Sequence, residues 1–121
     1  MLRILNIEPD NYNQEARSIL NSFATVREEK VSRIRLLELL PDFDVLIVRL
    51  AHNIDREVIN SGKDLKAIVT ATTGLDHIDT EATEKRGIAV LSLKDETVFL
   101  QSITATAELT WGLLLSLIRR I

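Results

Sequence analysis

The chain of 121 residues has no cysteine, two prolines, four glycines and two histidines, and aromatic residues make up 4% of it. Without cysteine there is no disulfide framework, no thiolate metal site and no cysteine nucleophile. That composition is consistent with a reducing cytosol, so a cytoplasmic protein is expected. His52 and His77 are the only neutral nitrogen ligands, and no metal site is expected. The glycines, Gly62, Gly74, Gly87 and Gly112, stand too far apart to form a Gly-x-Gly-x-x-Gly turn. Positive charge is also short: 15 Lys and Arg against 18 Asp and Glu give a net charge of −3 with the signs interspersed. A basic stripe that would draw phosphate backbones is therefore lacking, and nucleic acid is not expected as a partner. The opening MLRILNIEPD holds an apolar run of only about five residues, and the longest apolar stretch is about fifteen. Both fall short of the roughly 20 that a membrane span needs.

What is present is a hydrophobic fraction of 45% beside 27% charged residues, enough to build one globular core without staples. Short β-rich runs alternate with helical patterns: LRILNI, helix 12–22, ATV, helix 31–40, DVLIVRL, helix 55–61, LKAIVTA, helix 79–86, IAVLSL and a final helix. Parallel strands need crossovers and helices supply them, so the alternation predicts an α/β fold with a parallel five-stranded sheet and helices on both faces. VLIVRL and KAIVTA are apolar throughout, as expected of strands covered on both sides. Pro41 is expected to end the second helix, Asp55 and Asp79 to cap the third and fourth, and Gly62 and Gly87 to terminate those two. The expected strand order is the flavodoxin-like 2-1-3-4-5. Its ligand crevice lies outside the carboxyl ends of the strands, at the loops after Ile7, Val48, Thr70 and Leu91.

Those loops exclude two chemistries. A mononucleotide site would place a glycine-rich loop after the first strand, whereas EPDNYN has no glycine and carries two carboxylates. A phosphate-accepting receiver domain would have an aspartate at the end of the third strand; Arg49 or Leu50 stands there. Arg49 itself has two readings: a guanidinium fork for a ligand carboxylate, or a surface partner for a neighbouring acid. The segment TATTGLDHID, residues 70–79, offers a small-residue turn at Thr72, Thr73 and Gly74 where a ligand can approach backbone N–H groups. The same glycine also suits a plain turn. His77 has no nucleophile beside it and reads as a local hydrogen-bonding residue. Asp76, Asp79 and Glu81 complement a helix N-terminus.

The last segment, AELTWGLLLSLIRRI, residues 107–121, spreads apolar side chains over roughly 240° of a helix, where covering one core needs little more than about 100°. Such a helix calls for neighbours on two sides. Self-association through it, giving a homo-oligomer such as a dimer, is the expectation.

The wording of VR after the third strand, TGLDHID after the fourth, RGIAV before the fifth and AEL opening the last helix resembles the NAD-dependent D-isomer-specific 2-hydroxyacid dehydrogenases, the D-3-phosphoglycerate dehydrogenase-like family. The likeness runs from about Asp44 to the end. It implies that residues 1–103 form the substrate-binding domain and 104–121 a long connecting helix leading to an NAD-binding Rossmann domain absent from this sequence. It further implies that Arg49, Thr72, Gly74 and Leu75 face a small 2-hydroxy or 2-oxo acid and that Thr73 touches the dinucleotide. The catalytic histidine, arginine and acid belong to the absent part. The chain departs from the family at Leu50, at Ser92 and in the loop 94–104. The implied activity of the intact enzyme is hydride transfer between nicotinamide and the acid, with this chain inactive alone. The alternative is a freestanding flavodoxin-like module that binds or regulates a partner through its last helix.

Overall fold

The computed structural model describes residues 2–10, 12, 14–70, 72 and 74–92. Thr73, the loop 94–104 and the last helix lie outside the described residues.

Five parallel strands, β1 (Leu2–Asn6), β2 (Ala24–Glu28), β3 (Val45–Val48), β4 (Ala67–Thr70) and β5 (Ala89–Leu91), pair in the order β2-β1-β3-β4-β5. This is the expected order, with Ile4 opposite Val45, Val45 opposite Ala67 and Ala67 opposite Ala89. Every residue of β3 and β4 is buried. Side chains two apart share a face, so Leu46, Val48 and Ile68 meet one core while Val45, Ile47 and Val69 meet the other. Helices α2 (Arg33–Leu39), α3 (Arg56–Ser61) and α4 (Thr80–Lys85) cover the first face through Leu36, Val58 and Ala82, and α1 (Gln14–Phe23) packs Leu20 on the second.

The punctuation follows from single residues. Asp55 and Asp79 accept from the Val58 and Ala82 amides at 3.1 and 3.0 Å, satisfying orphan donors at the starts of α3 and α4. Pro41 cannot donate to the helical ladder, and after Leu39 the chain tightens into a 3-10 turn, Leu40–Asp42, closed by Phe43 N–H on Leu40 O at 3.1 Å. Gly87 takes the left-handed conformation (φ 67°) that lets the chain leave α4 and enter β5. Gly62 ends α3 for a different reason. Its φ is −83°, and a Cβ there would lie 3.0 Å from Leu65 Cβ and 3.2 Å from Leu40 Cγ, so close packing, not backbone freedom, calls for glycine.

At the opposite end of the sheet from the loops that follow the strands, Asp44 is buried immediately before β3. Its carboxylate takes Arg3 N–H at 2.9 Å and the Arg3 guanidinium at 3.1 and 3.2 Å, which holds its pKa below the ordinary value of 3.8.

Candidate functional site

The loop after β1 is turned by Asn6, a buried polar residue whose side-chain oxygen accepts from Glu8 N–H at 3.1 Å. The turn carries the Glu8 carboxylate to the end of β3, where it accepts from the backbone N–H of Arg49 and, at 3.1 Å, of Ala51. Arg49 answers in kind: its Nη2 donates to Glu8 O at 3.1 Å and Asp10 O at 2.7 Å. From α1, Arg17 reaches Pro9 O at 2.9 Å and Tyr12 O at 3.1 Å. Two arginines thus collect four carbonyls from one loop. A phosphate-binding loop turns N–H groups to its ligand; the described part of this one turns carbonyls to its arginines.

The resting position of Arg49 is set by the first loop. Its guanidinium meets carbonyls of the first loop rather than an acidic side chain, while the nearby Glu8 carboxylate is taken up by main-chain amides. Arg49, Glu8, Asp10, Lys30 and His52 line a cleft of about 190 Å³, in which Lys30 pairs with Asp10 at 3.3 Å. Leu50, the residue after Arg49, stands out at 69% exposure.

The loop after β4 is organised by hydroxyl groups. Thr72 Oγ1 donates to Gly74 O at 2.9 Å, Thr70 Oγ1 lies 2.9 Å from Thr72 Oγ1, and His77 Nε2 lies 3.2 Å from Thr70 Oγ1. Burial pushes the His77 pKa below 6.5 against the opposing charges of Glu8 and Asp76, so the ring is neutral near pH 7. Ile54 N–H donates to His77 O at 2.7 Å and Asp79 N–H to Ile54 O at 2.9 Å, a one-rung parallel bridge that ties the loop after β3 to the loop after β4.

Against this frame the amides of Gly74 and Leu75 have no acceptor among the described residues, and a Cβ built on Gly74 would meet nothing within 4 Å. Two unspent N–H donors beside open space suit a carboxylate. Thr72 is thus joined to Gly74, with Leu75 next in the chain and His77 linked through Thr70; Arg49 sits in the neighbouring loop, and Thr73 lies outside the described residues. Sequence reasoning missed the clamp by Glu8 and the part played by Thr70. The signals were a buried asparagine two residues before the acid and a threonine ending an otherwise apolar strand. Among the described residues no group of three His, Cys, Asp or Glu side chains is placed to hold a metal ion. Among the described residues no glycine-rich turn of the kind that seats a pyrophosphate joins a strand to a helix. No described helix is long and apolar enough to cross a membrane.

The sheet order and the helices on both faces define a flavodoxin-like α/β domain. The chain belongs to the D-isomer-specific 2-hydroxyacid dehydrogenases: the model of that family's catalytic domain matches residues 5–111. A hydroxypyruvate reductase of Thermotoga maritima is 34% identical over 93% of this chain and 36% of its own length. A D-3-phosphoglycerate dehydrogenase of Methanocaldococcus jannaschii is 36% identical over the whole chain, which spans 22% of that protein. Among solved structures, a Pyrococcus horikoshii protein matches with a TM-score of 0.71 at 30% identity, covering 76% of this chain and 27% of that one. The NAD+-bound 3-phosphoglycerate dehydrogenase of Entamoeba histolytica matches at 0.67 and 33%, covering 75% and 32%. The chain thus spans between about a fifth and a third of these relatives.

Proposed function

We propose that the chain is the substrate-side domain of an NAD-dependent D-2-hydroxyacid dehydrogenase, and that it has no turnover of its own. The reaction of the intact enzyme is hydride exchange between nicotinamide and a 2-hydroxy or 2-oxo acid, with NAD held by a Rossmann domain and not by this chain. The part of this chain is to bind the acid's carboxylate through the Gly74 and Leu75 amides, to present Thr72 and the Arg49 loop as the adjoining wall, and to keep water out of the closed cleft. Thr73 contributes a contact to the dinucleotide from the same loop. The observation that carries this reading is the pair of amides, at Gly74 and Leu75, that have no acceptor among the described residues, beside an open Gly74. Self-association through residues 107–121 belongs to the same reading and rests on their wide apolar arc.

The test is a titration of the isotope-labelled chain with pyruvate, followed by amide resonances. Gly74 and Leu75 are expected to shift first and furthest, and the chain with NADH and pyruvate is expected to give no oxidation of NADH. Shifts elsewhere with none at Gly74 and Leu75 would overturn the carboxylate assignment, and turnover by the chain alone would overturn the division of labour. Sedimentation at rising concentration checks self-association, with a strict monomer as the contrary result.

A further inference from the structure

The hydroxyl chain in the loop after β4 has only one consistent direction. Gly74 O is a carbonyl and can only accept, so the single hydroxyl hydrogen of Thr72 is spent on it. Thr72 Oγ1 must then accept from Thr70, which spends the hydrogen of Thr70. Thr70 Oγ1 in turn has only acceptor capacity left for His77, so Nε2 of His77 carries a hydrogen and donates. The sequence is fixed from end to end: His77 Nε2–H to Thr70, Thr70 to Thr72, Thr72 to the Gly74 carbonyl. In the neutral ring this leaves Nδ1 as the bare nitrogen.

The far end of that chain is a peptide unit. Gly74 C=O and Leu75 N–H belong to one planar trans amide and point in opposite directions. Pulling the carbonyl toward Thr72 therefore aims the Leu75 N–H the other way, and Gly74, with no Cβ and open space around it, offers little steric resistance to rotation of this unit. Something has to hold it. Thr70 is fully buried at the end of β4, and the His77 carbonyl is anchored by Ile54, so both upstream members of the chain are seated on the rigid sheet and bridge.

We infer that His77 is a positioning residue: through the hydroxyls of Thr70 and Thr72 it sets the orientation of the Gly74–Leu75 peptide and so aims the Leu75 N–H. That this N–H is meant for a substrate carboxylate rests on the proposed function; the orienting role does not. It also makes Thr72 an acceptor toward any ligand, because its only hydrogen is already committed.

Imidazole nitrogen resonances and backbone N–H residual dipolar couplings of the 121-residue chain test this together. In the native chain His77 is expected as the Nε2–H tautomer. Thr70→Val, which removes the hydroxyl and keeps the shape, is expected to release that tautomer preference and change the Leu75 coupling, while couplings in β3 and β4 stay as they were. Thr70→Ser, which keeps the hydroxyl, is expected to leave both readings as in the native chain. His77→Phe is expected to change the Leu75 coupling in the same sense as Thr70→Val. A dominant Nδ1–H tautomer, or a Leu75 coupling indifferent to Thr70→Val and His77→Phe, would overturn the inference. Pyruvate failing to shift the Leu75 amide would sink the carboxylate reading alone, since tautomer and couplings are read without ligand.

Discussion

At the scale of single residues, two glycines separate packing from function. Gly62 is hemmed in by Leu65 and Leu40, so Gly62→Ala is expected to cost about 1–3 kcal/mol, the usual range for overpacking, seen as a lower denaturant midpoint. Gly74 has open space and no left-handed backbone, so Gly74→Ala is expected to stay within about 0.5 kcal/mol of the parent. If Gly74→Ala also weakens pyruvate binding in the titration above, the glycine serves the ligand and not the fold. Asp44 is the acid on which the opposite end of the sheet depends. Asp44→Ala leaves the Arg3 amide without its acceptor and is expected to destabilise by about 1–3 kcal/mol, measured by the same unfolding curve. Its depressed pKa adds a pH signature: the folded state favours the carboxylate, so this contribution is present above 3.8 and is lost as the pH falls through the lower folded value.

At the scale of elements, the unit to test is the clamp between the β1 and β3 loops. Glu8 satisfies two amides and its own carbonyl is held by Arg49, so each loop supports the other. Glu8→Ala is expected to speed hydrogen exchange at Arg49 and Ala51 about tenfold or more, the equivalent of about 1.4 kcal/mol, while amides in the middle of β3 keep their protection. Uniform acceleration across the sheet would instead mean that Glu8 supports the whole fold. The elements also show where sequence is readable. Apolar runs and the Asp55 and Asp79 caps announced strands and helices correctly because each depends on neighbours within a turn or a pleat. Four of the five strands came out shorter than the runs, as DVLIVRL contracting to Val45–Val48 shows, since pairing stops where Arg49 turns to serve the first loop, while ATV lengthened to Ala24–Glu28. The Gly74 and Leu75 positions were marked by a family resemblance. His77 was read as a local hydrogen-bonding residue, and it is one, but its partner Thr70 was not foreseen, and the role of Glu8 arises only when loops 41 residues apart in sequence meet.

At the scale of the whole molecule, acid acts first on a half-buried histidine and then on paired carboxylates. The His77 pKa lies below 6.5 through burial, opposed by Glu8 and Asp76, so the folded state favours the neutral ring. That contribution is present above 6.5 and is lost as the pH falls from there toward the folded value; the carboxylates of Asp44 and Asp55, both held low by arginine, follow at lower pH. The melting temperature is therefore expected to fall in two stages on acidification, and His77→Phe should remove the first. The bridge between Ile54 and Ile78 has a consequence of another kind. Because a single rung of backbone fastens Ile54 to Ile78, the loop after β3 and the loop after β4 are joined at that point without any side chain taking part. The ordering entropy of Ile54 and Ile78 is then spent when the chain folds and need not be spent again when a ligand arrives.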